Sequence, residues 1–545
     1  MKGLPFHTAP ATHITRSRQN LSSQKVLTTN FGQITPIYCE HCIPGDIHNI
    51  SHTCVVRMQP LIAPIMHEIN VQTHWFFVPM RIMAELFDGS LAFDWEDYIS
   101  GGKDGTDEQT EPLLTSYSME TWYGLKEKHL LSYLYNCFPR VPGPYNSNSI
   151  PNAWKLTAYN LIYNDYYRDE NLEEEIGPLD AEWKNRAWLK DYFTSALPWQ
   201  QRGVSPSIPM SATAQIELPD SYGFQYQPVG VFRTPLTNFV TQVTSPVGAD
   251  NAVNNIRGTD NLPFPPGSPL NTRMDGSLLQ WLKETLKIEV NPQIDFDIND
   301  LRTAWQTQRY LEALSRTGVR YTEYLKGIWG TAPTDERLQR PEFIGSTKQP
   351  VITSEVLNTN AEGTEPLGKM GGHGITAAST YVGRYRVREW GIIMGLLTIM
   401  PKPSYSQTLD RRDMTRTRFD YPNPFFMHLS ERPIKMHELN YTGEETIDQE
   451  DFGFQGIWDE YRIKHDSING AIHTYLNHYS LARNFPHDQP IGLTKEFIKC
   501  DGSAQGQLRR IFAVPSEDGF IVTSGTHNQA IRPIPFIAEP GLVDH

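Results

Sequence analysis

Residues 67–79 read HEINVQTHWFFVP, and the alternation of apolar and polar side chains in this stretch decides the fold class. The apolar set is Ile69, Val71, Trp75 and Phe77, and the polar set is Glu68, Asn70, Gln72 and His74. Successive side chains of a β-strand point to opposite faces, so a period of two predicts a half-buried strand. We expect this strand to end at Pro79.

The composition outside this stretch predicts a folded chain with many turns. The 545 residues include 39 glycines and 40 prolines, which favours turns over long helices. Hydrophobic residues make up 39% of the chain and charged residues 20%, so a core can be buried and a disordered polyelectrolyte is excluded. The two best amphipathic helical patterns cover residues 153–172 and 300–317.

The net charge excludes a uniformly basic DNA-coating protein, because 48 Lys and Arg face 62 Asp and Glu, giving −14. The charge is unevenly distributed, however, and residues 1–39 contain no acidic residue. Their basic residues are Lys2, Arg16, Arg18 and Lys25. We therefore predict a basic N-terminal arm over residues 1–40 that orders against nucleic acid or a neighbouring subunit.

A second basic cluster spans residues 384–418, where eight Lys and Arg face three Asp and Glu. Arg384, Arg386 and Arg388 alternate with other residues, so on a strand they share one face at a spacing of about 6.6 Å. That spacing is close to the phosphate repeat of an extended nucleic-acid strand, and Tyr405 and Trp390 could offer stacking faces. A solvated or intersubunit face remains the alternative.

No motif predicts a catalytic residue, a cofactor or a metal site. The five cysteines are too few and too scattered for a disulfide framework, and Cys39 and Cys42 form a CxxC pair without a second pair at zinc-site spacing. The GTEPLGK stretch at 363–369 lacks the hydroxyl residue that a phosphate-binding loop needs. We therefore interpret these residues as structural.

Two further patterns concern the cellular location of the protein and the shape of its surface. The longest apolar run, residues 390–400, is too short to span a bilayer, and the first 20 residues lack the apolar segment of a secretory signal. We expect synthesis in a cytoplasm without membrane insertion. Residues 203–277 are dominated by Pro, Gly, Ser, Thr and Asn, which predicts a projecting surface insertion.

Eight segments, in this order along the chain, resemble the major capsid proteins of microviruses, the small icosahedral single-stranded DNA phages, and especially their gokushovirus-like branch. The segments are IPGD (43–46), RMQPLIAPIM continuing into HWFFVPMR (57–81), AYNLIYNDYYRDENL (158–172), SALPWQQRG (195–203), DLRTAWQTQRYLEALSRTGVRYTEYL (300–325), RPEFIGSTKQPVITSEVLNT (340–359), EWGIIMGLLTIMPKPSYSQTL (389–409) and FGFQGIWDEYRIKHDSINGAI (452–472).

The resemblance implies a mainly β protein: an eight-stranded antiparallel jelly roll with long inserted loops and a few helices, forming one domain over residues 41–545. It further implies a non-enzymatic subunit of a T=1 icosahedral virion shell, with circular single-stranded DNA on the inner surface. Minor virion proteins and a host-cell receptor are the other implied partners. The insertion at 203–277 resembles the surface protrusion of this branch, which implies contact with the host.

A shell that encloses DNA is expected to turn basic residues inward. Our nucleic-acid-facing candidates, from charge and spacing, are therefore Lys2, Arg16, Arg18, Lys25, Arg384, Arg386, Arg388, Arg411, Arg412, Arg416 and Arg418. A carbohydrate-active or glycan-binding β-sandwich protein is the alternative, suggested by the many aromatic and acidic residues. It predicts a cleft with two free carboxylates or an aromatic platform.

Overall fold

A computed structural model describes residues 15–87, 93–100, 109–145, 147–206, 298–317, 320–357, 368, 370–427, 429, 431–486, 488–502 and 507–537. The chain divides into two compact units. One comprises Met1–Val204 with Tyr310–His545, and the other is Ser205–Arg309. The second unit overlaps the insertion predicted at 203–277, most of which lies outside the described residues.

The described part of the chain is mainly β, with antiparallel ladders between the strands. The strands are β1 Ser17–Asn20, β2 Ser23–Thr29, β3 Thr35–Cys42, β4 Ile47–Met58, β5 Ile69–Pro79, β6 Glu342–Pro350, β7 Ile352–Leu357, β8 Met370–Arg386, β9 Gly391–Pro401, β10 Glu431–Lys435, β11 Asp451–Gly456 and β12 Phe520–Arg532. A six-stranded sheet has the order β1-β12-β4-β8-β7, with β2 also paired to β12. A four-stranded sheet has the order β3-β9-β5-β6, and β10 pairs with β11.

In the described part of the chain, the helices other than α6 are short and lie mainly between strands. The α-helices are α1 Met80–Glu85, α2 Trp95–Ser100, α3 Ser116–Leu125, α4 Leu130–Tyr135, α5 Trp154–Ile162, α6 Ile298–Thr317, α7 Tyr321–Tyr324, α8 Met436–Leu439, α9 Glu445–Asp448 and α10 Lys495–Ile498. Single turns of 3-10 helix occur at Lys126–Lys128, Ser147–Ser149, Arg411–Met414, Arg418–Asp420, Pro424–Phe426, Asp459–Tyr461, Gly470–His473, Asn477–Tyr479 and Gln507–Ile511, and π-helical turns at Tyr163–Tyr167 and Leu325–Trp329.

The core of the sandwich lies between the two sheets. The apolar face of β5 predicted from the sequence is confirmed, since Ile69, Val71, Trp75 and Phe77 belong to one buried cluster that also contains residues of β4, β9 and β12. Trp75 is completely buried, and its ring centroid lies 5.6 Å from that of Tyr38 and 5.5 Å from that of His52. The two sheets therefore form a β-sandwich held by aromatic and branched side chains.

The prediction that β5 is half-buried is wrong, because a third layer covers its other face. Phe76 and Val78 pack with residues of β9 and with helices α1, α3, α4 and α5 in a second buried cluster. β9 is likewise buried along its whole length. Both strands are therefore central to the fold, and the polar side chains that alternate along β5 are covered rather than solvated.

The two helices predicted from the sequence differ in outcome. The helix expected at 300–317 is confirmed as α6. The helix expected at 153–172 ends earlier: α5 stops at Ile162, a π-helical turn follows, and the backbone becomes extended at Arg168. Asn164 stabilises this ending, because its side chain donates to the carbonyl oxygen of Ile176 at 2.9 Å and accepts from the Ile176 N–H at 3.1 Å.

The range 1–40, predicted to be a basic arm, contains β1, β2 and most of β3. From Ser17 onward these residues are therefore part of the two sheets, and residues 1–14 lie outside the described residues. β1 and β2 pair with β12, and the outward positions of β1 are polar, so the hydrophobic period that reveals a strand is weak here. Among the described residues, no helix is long and apolar enough to cross a membrane.

Candidate nucleic-acid interface

The outward face of the six-stranded sheet is open and polar. In β4 the inward residues from His48 to Met58 are buried, and the residues between them are exposed or half-buried. β12 shows the same alternation over most of its length, and β8 shows it over residues 371–377. We define the sheet face as the outward residues of β1, β2, β4, β8 and β12.

The sheet face has a charge unlike that of the chain as a whole. None of the five strands contains an Asp or a Glu, although the chain carries −14. The exposed arginines Arg18, Arg57, Arg384 and Arg386 lie on this face. Among the described residues, we find no ion-pair partner for Arg18, Arg384 or Arg386. Their charges are therefore available to an anionic partner.

The register of the strands brings these arginines into neighbouring rows. One row crosses the sheet as Arg18, Ile531, Ile47 and Arg386. The next row reads Asn20, Gln529, Asn49 and Arg384, and the Gln529 amide donates to the Asn20 side-chain oxygen at 3.1 Å. Three strand spacings of roughly 4.8 Å separate the row ends, so the patch is about 14 Å wide.

Residues farther along the sheet face can contact bases as well as phosphates. Tyr381 lies opposite Ser51, and 58% of its surface is exposed, which makes its ring available for stacking. Thr53 donates to the Ser379 hydroxyl at 3.0 Å. Basic, amide, hydroxyl and aromatic groups therefore share one face, a combination typical of sequence-independent single-strand binding.

The alternation predicted around Arg384 is confirmed. Arg384, Arg386 and Arg388 are exposed, while Tyr385 is partly buried and Val387 is buried against the core between the two sheets. Arg388 follows the end of β8 and forms an ion pair with Glu336. Arg384 and Arg386 are thus the two members of the trio that lie on the sheet itself.

The other predicted basic residues are in a loop after β9, and two of them are engaged by acids. Arg411 donates to the Pro433 carbonyl at 2.7 Å and to Glu438 at 3.1 Å. Arg412 pairs with Asp410; their hydrogen bond lowers the pKa of Asp410 and raises that of Arg412. Arg416 and Arg418 are exposed, and the Arg418 guanidinium lies 4.9 Å from the Phe419 ring centroid.

The suggested stacking role of Tyr405 is wrong, because this side chain is buried. Only 1% of its surface is exposed, and its hydroxyl donates to Asp191 at 2.6 Å. Tyr405 belongs to a third cluster that also includes Phe193 and Phe452. Trp390, by contrast, is 39% exposed.

The four basic residues of the predicted arm differ in their exposure to solvent. Lys25 is turned away from solvent: its ammonium donates to the carbonyl oxygens of Pro36, at 3.1 Å, and of Tyr133. Burial lowers the pKa of Lys25 to about 8. Arg16 and Arg18 are exposed, and Lys2 lies outside the described residues.

Sequence reasoning missed Arg57, Tyr381 and the amide row, because the pairing of β12 with β1 and β4 joins segments about 500 residues apart. The shared lack of acids was visible in the sequence, but only the register shows that these segments are neighbours. Sequence reasoning also missed a buried cluster in which Cys42, the second cysteine of the CxxC pair, lies close to Asp46 and His48.

The glycan-binding alternative predicts a cleft with free carboxylates. The structure contains a cavity of about 790 Å³, lined by residues of 166–197, 315–323 and 431–462, in which this prediction can be examined. Its carboxylates are paired with cations: Glu431 with Arg316 at 2.7 Å, and Glu170 with Arg320 at 3.0 Å. Asp169 pairs with Lys190 at 2.8 Å. These pairs occupy the carboxylates that a glycosidase needs free, so the cavity does not favour this alternative.

Comparison with known proteins gives one family match and several relatives that cover most of the chain. Residues 8–542 match the family model described as "Capsid protein (F protein)". The chain is 26% identical to "Capsid protein VP1" of Chlamydia phage 1, over 98% of this chain and 97% of the relative. It is 28% identical to the protein of that name from Bdellovibrio phage phiMH2K, over 86% and 84%. Spiroplasma virus 4 has another such relative at 26%, over 98% and 97%.

Proposed function

Because this chain belongs to the capsid protein (F protein) family, we propose that it forms a T=1 icosahedral shell around circular single-stranded DNA. The family establishes a structural, non-enzymatic capsid protein that self-assembles and resides in the virion. The number of subunits, the genome and assembly in the host cytoplasm are parts of the proposal.

We propose that the sandwich is an eight-stranded jelly roll. Two runs of four strands support this assignment: β2-β12-β4-β8 in one sheet and β3-β9-β5-β6 in the other. Connections between consecutive strands repeatedly pass from one sheet to the other, as from β2 to β3, β3 to β4 and β4 to β5. Such double-sheet folds leave few open strand edges.

One observation supports DNA binding: the strands of the sheet face contain no Asp or Glu, and Arg18, Arg384 and Arg386 have no ion-pair partner in the part of the chain that the structure describes. A shell protein that is acidic overall repels DNA unless one surface is locally basic. Arg18, Arg384 and Arg386 provide that charge, and Tyr381 provides a ring on which a base can stack. We place the sheet face toward the genome, with the loop arginines Arg416 and Arg418 as secondary candidates.

Reversing the charge of this face should reduce DNA packaging. Arg384→Glu with Arg386→Glu places two negative charges per subunit beside phosphate, so we expect packaged DNA per particle to fall about threefold or more. Arg388 is left unchanged because it pairs with Glu336. The measurement is nuclease-protected DNA per mass of purified shell.

Arg140→Glu with Arg337→Glu is the matched control, since it makes the same charge change at two exposed residues that are not DNA-facing candidates, and we expect nearly normal packaging. Normal DNA content in the Arg384/Arg386 variant overturns the proposal and assigns the sheet face to subunit contacts. If that variant yields no particles, Arg384→Gln with Arg386→Gln is compared with wild type for binding of single-stranded DNA at increasing salt. A flatter salt dependence is then expected.

We also propose that the insertion at 203–277 contacts a receptor on the host cell, and that minor virion proteins complete the particle. The composition of the insertion supports a surface role. Deletion of residues 245–270 should leave particle yield near wild type and reduce adsorption to host cells about tenfold or more. Unchanged adsorption by intact particles contradicts the receptor role.

A further inference from the structure

The turn between β3 and β4 encloses three buried side chains that are commonly found as metal ligands. Cys42 ends β3, Asp46 lies in the turn, and His48 is near the start of β4. Their sulfur, carboxylate and imidazole donor atoms all lie within 4.8 Å of one another. At most 1% of each residue's surface is exposed.

The backbone of the turn fixes this arrangement. Gly45 has a φ of +95°, a conformation that favours glycine, and the Asp46 N–H donates to the Ile43 carbonyl at 3.1 Å. The Gly45 N–H donates to Val387 and the Val387 N–H donates to Asp46, which ties the turn to the end of β8. The three side chains are therefore presented by a rigid local structure.

Two of the donor atoms lack hydrogen-bond partners although they are fully buried. Among the described residues, Asp46 Oδ1 and His48 Nε2 have none. Asp46 Oδ2, by comparison, accepts from the Ile43 N–H at 3.1 Å and lies 3.2 Å from Arg532 Nε. Unpaired buried polar atoms are costly, so a ligand at these two atoms has a physical basis.

We propose that Cys42, Asp46 and His48 bind a zinc ion. Thiolate, imidazole and carboxylate are the donor types that zinc accepts, usually in tetrahedral geometry. Tetrahedral zinc with bonds of about 2.0–2.1 Å separates nitrogen and oxygen ligands by about 3.3 Å. His48 Nε2 and Asp46 Oδ2 are 3.4 Å apart, which is close to that separation, and rotation of the carboxylate exchanges Oδ2 with the unpaired Oδ1. The third donor, Cys42 Sγ, lies within 4.8 Å of both residues' donor atoms.

The surroundings of the cluster suit a divalent cation. Arg532 donates to Glu40 at 3.0 Å and contacts Asp46, so its charge balances one of the two carboxylates. The remaining carboxylate charge and a Cys42 thiolate balance a zinc ion. Asn528 Oδ1 lies 3.3 Å and Asn528 Nδ2 3.0 Å from His48 Nδ1. When His48 Nδ1–H donates a hydrogen bond to the Asn528 oxygen, Nε2 is left unprotonated and free for the metal.

The test measures bound zinc in purified wild-type particles after dialysis, and in particles of Cys42→Ala and His48→Gln. We expect about one zinc ion per chain in wild type and at least a tenfold loss in each variant. Cys54→Ala is the control, because Cys54 is equally buried in the same core but lies outside the cluster. Wild-type particles without zinc, or variants that retain it, overturn the proposal.

A second measurement tests the zinc proposal even if the Cys42→Ala and His48→Gln variants fail to fold. Wild-type chain depleted of zinc and supplied with Co²⁺ should develop the near-ultraviolet thiolate-to-cobalt absorption, and Cys39→Ala and Cys54→Ala should develop it equally. No such absorption in wild type, or its loss in the Cys39 or Cys54 variant alone, rejects the assignment to Cys42. The cluster is then a group of buried structural side chains beside Arg532. Neither measurement depends on whether the sheet face binds DNA.

Discussion

Trp75→Ala is expected to lower the free energy of unfolding of the subunit by about 4 kcal/mol. The indole is completely buried between the sheets and contacts Tyr38 and His52. Gly395 lies directly across from it, and a Cβ at that position would come within 3.0 Å of the ring. Gly395 therefore offers no side chain to fill the cavity that alanine leaves. Typical domains are stable by about 5–15 kcal/mol, so folded subunits should become scarce.

Denaturant unfolding of the full chain and the yield of assembled particles measure this effect. Trp329→Ala is the control, because 67% of Trp329 is exposed and its truncation leaves no buried cavity. We expect the control to change the free energy of unfolding by less than about 0.5 kcal/mol. A loss below about 1 kcal/mol for Trp75→Ala would mean that the two sheets do not pack as described.

Acid is expected to destabilise the subunit through the buried histidines. Burial lowers the pKa of His52 to about 4, and its only described side-chain hydrogen bond joins Nε2 to the Ser524 hydroxyl at 2.9 Å. The pKa values of His74 and His129 are lowered to about 4 for the same reason. These imidazoles stay neutral in the folded chain at a pH where the unfolded chain has already bound protons.

The direction of the effect follows from the unfolded pKa of about 6.5. Below that pH the unfolded state binds more protons than the folded state, so stability falls as the pH drops from about 6.5 toward 4. His52 alone should account for about 2 kcal/mol between pH 7 and pH 5. Urea unfolding at the two pH values measures the loss.

His52→Gln should reduce this acid sensitivity by about 2 kcal/mol, even if the variant is less stable at pH 7. His527→Gln serves as the control, since His527 is an exposed residue of the same sheet, and we expect it to leave the acid sensitivity unchanged. An unaltered difference between pH 7 and pH 5 in the His52 variant would show that His52 does not remain neutral in the folded protein.

The sequence revealed those parts of the fold that depend on local periodicity. The core face of β5 was predictable because its apolar residues alternate strictly, and α6 because its pattern is long. The burial of the other face was not predictable, since it depends on four helices, α1, α3, α4 and α5, that fold back over Phe76 and Val78. β1 and β2 were missed because their strand character comes from pairing with β12.

The candidate interface was predictable in part. The alternation of Arg384 and Arg386 was readable from the sequence, and so was the local excess of basic residues. Whether an arginine remains free was not, because it depends on distant acids: Glu438 engages Arg411, and Glu336 engages Arg388. The burial of Tyr405 likewise depends on residues more than 200 positions earlier, including Asp191 and Phe193.

The position of β12 has a consequence for biosynthesis. This strand pairs with β2 on one side and with β4 on the other. The loops next to β2 and β12 also meet, because the Asn30 side chain donates to Asp518, 488 positions away. At about 5–20 residues per second, a ribosome needs roughly 25–100 s to reach β12 after β2 has emerged. Until then, no strand joins β2 to β4 in the six-stranded sheet. Prematurely terminated chains therefore lack the strand that joins β2 to β4 and cannot complete the sandwich.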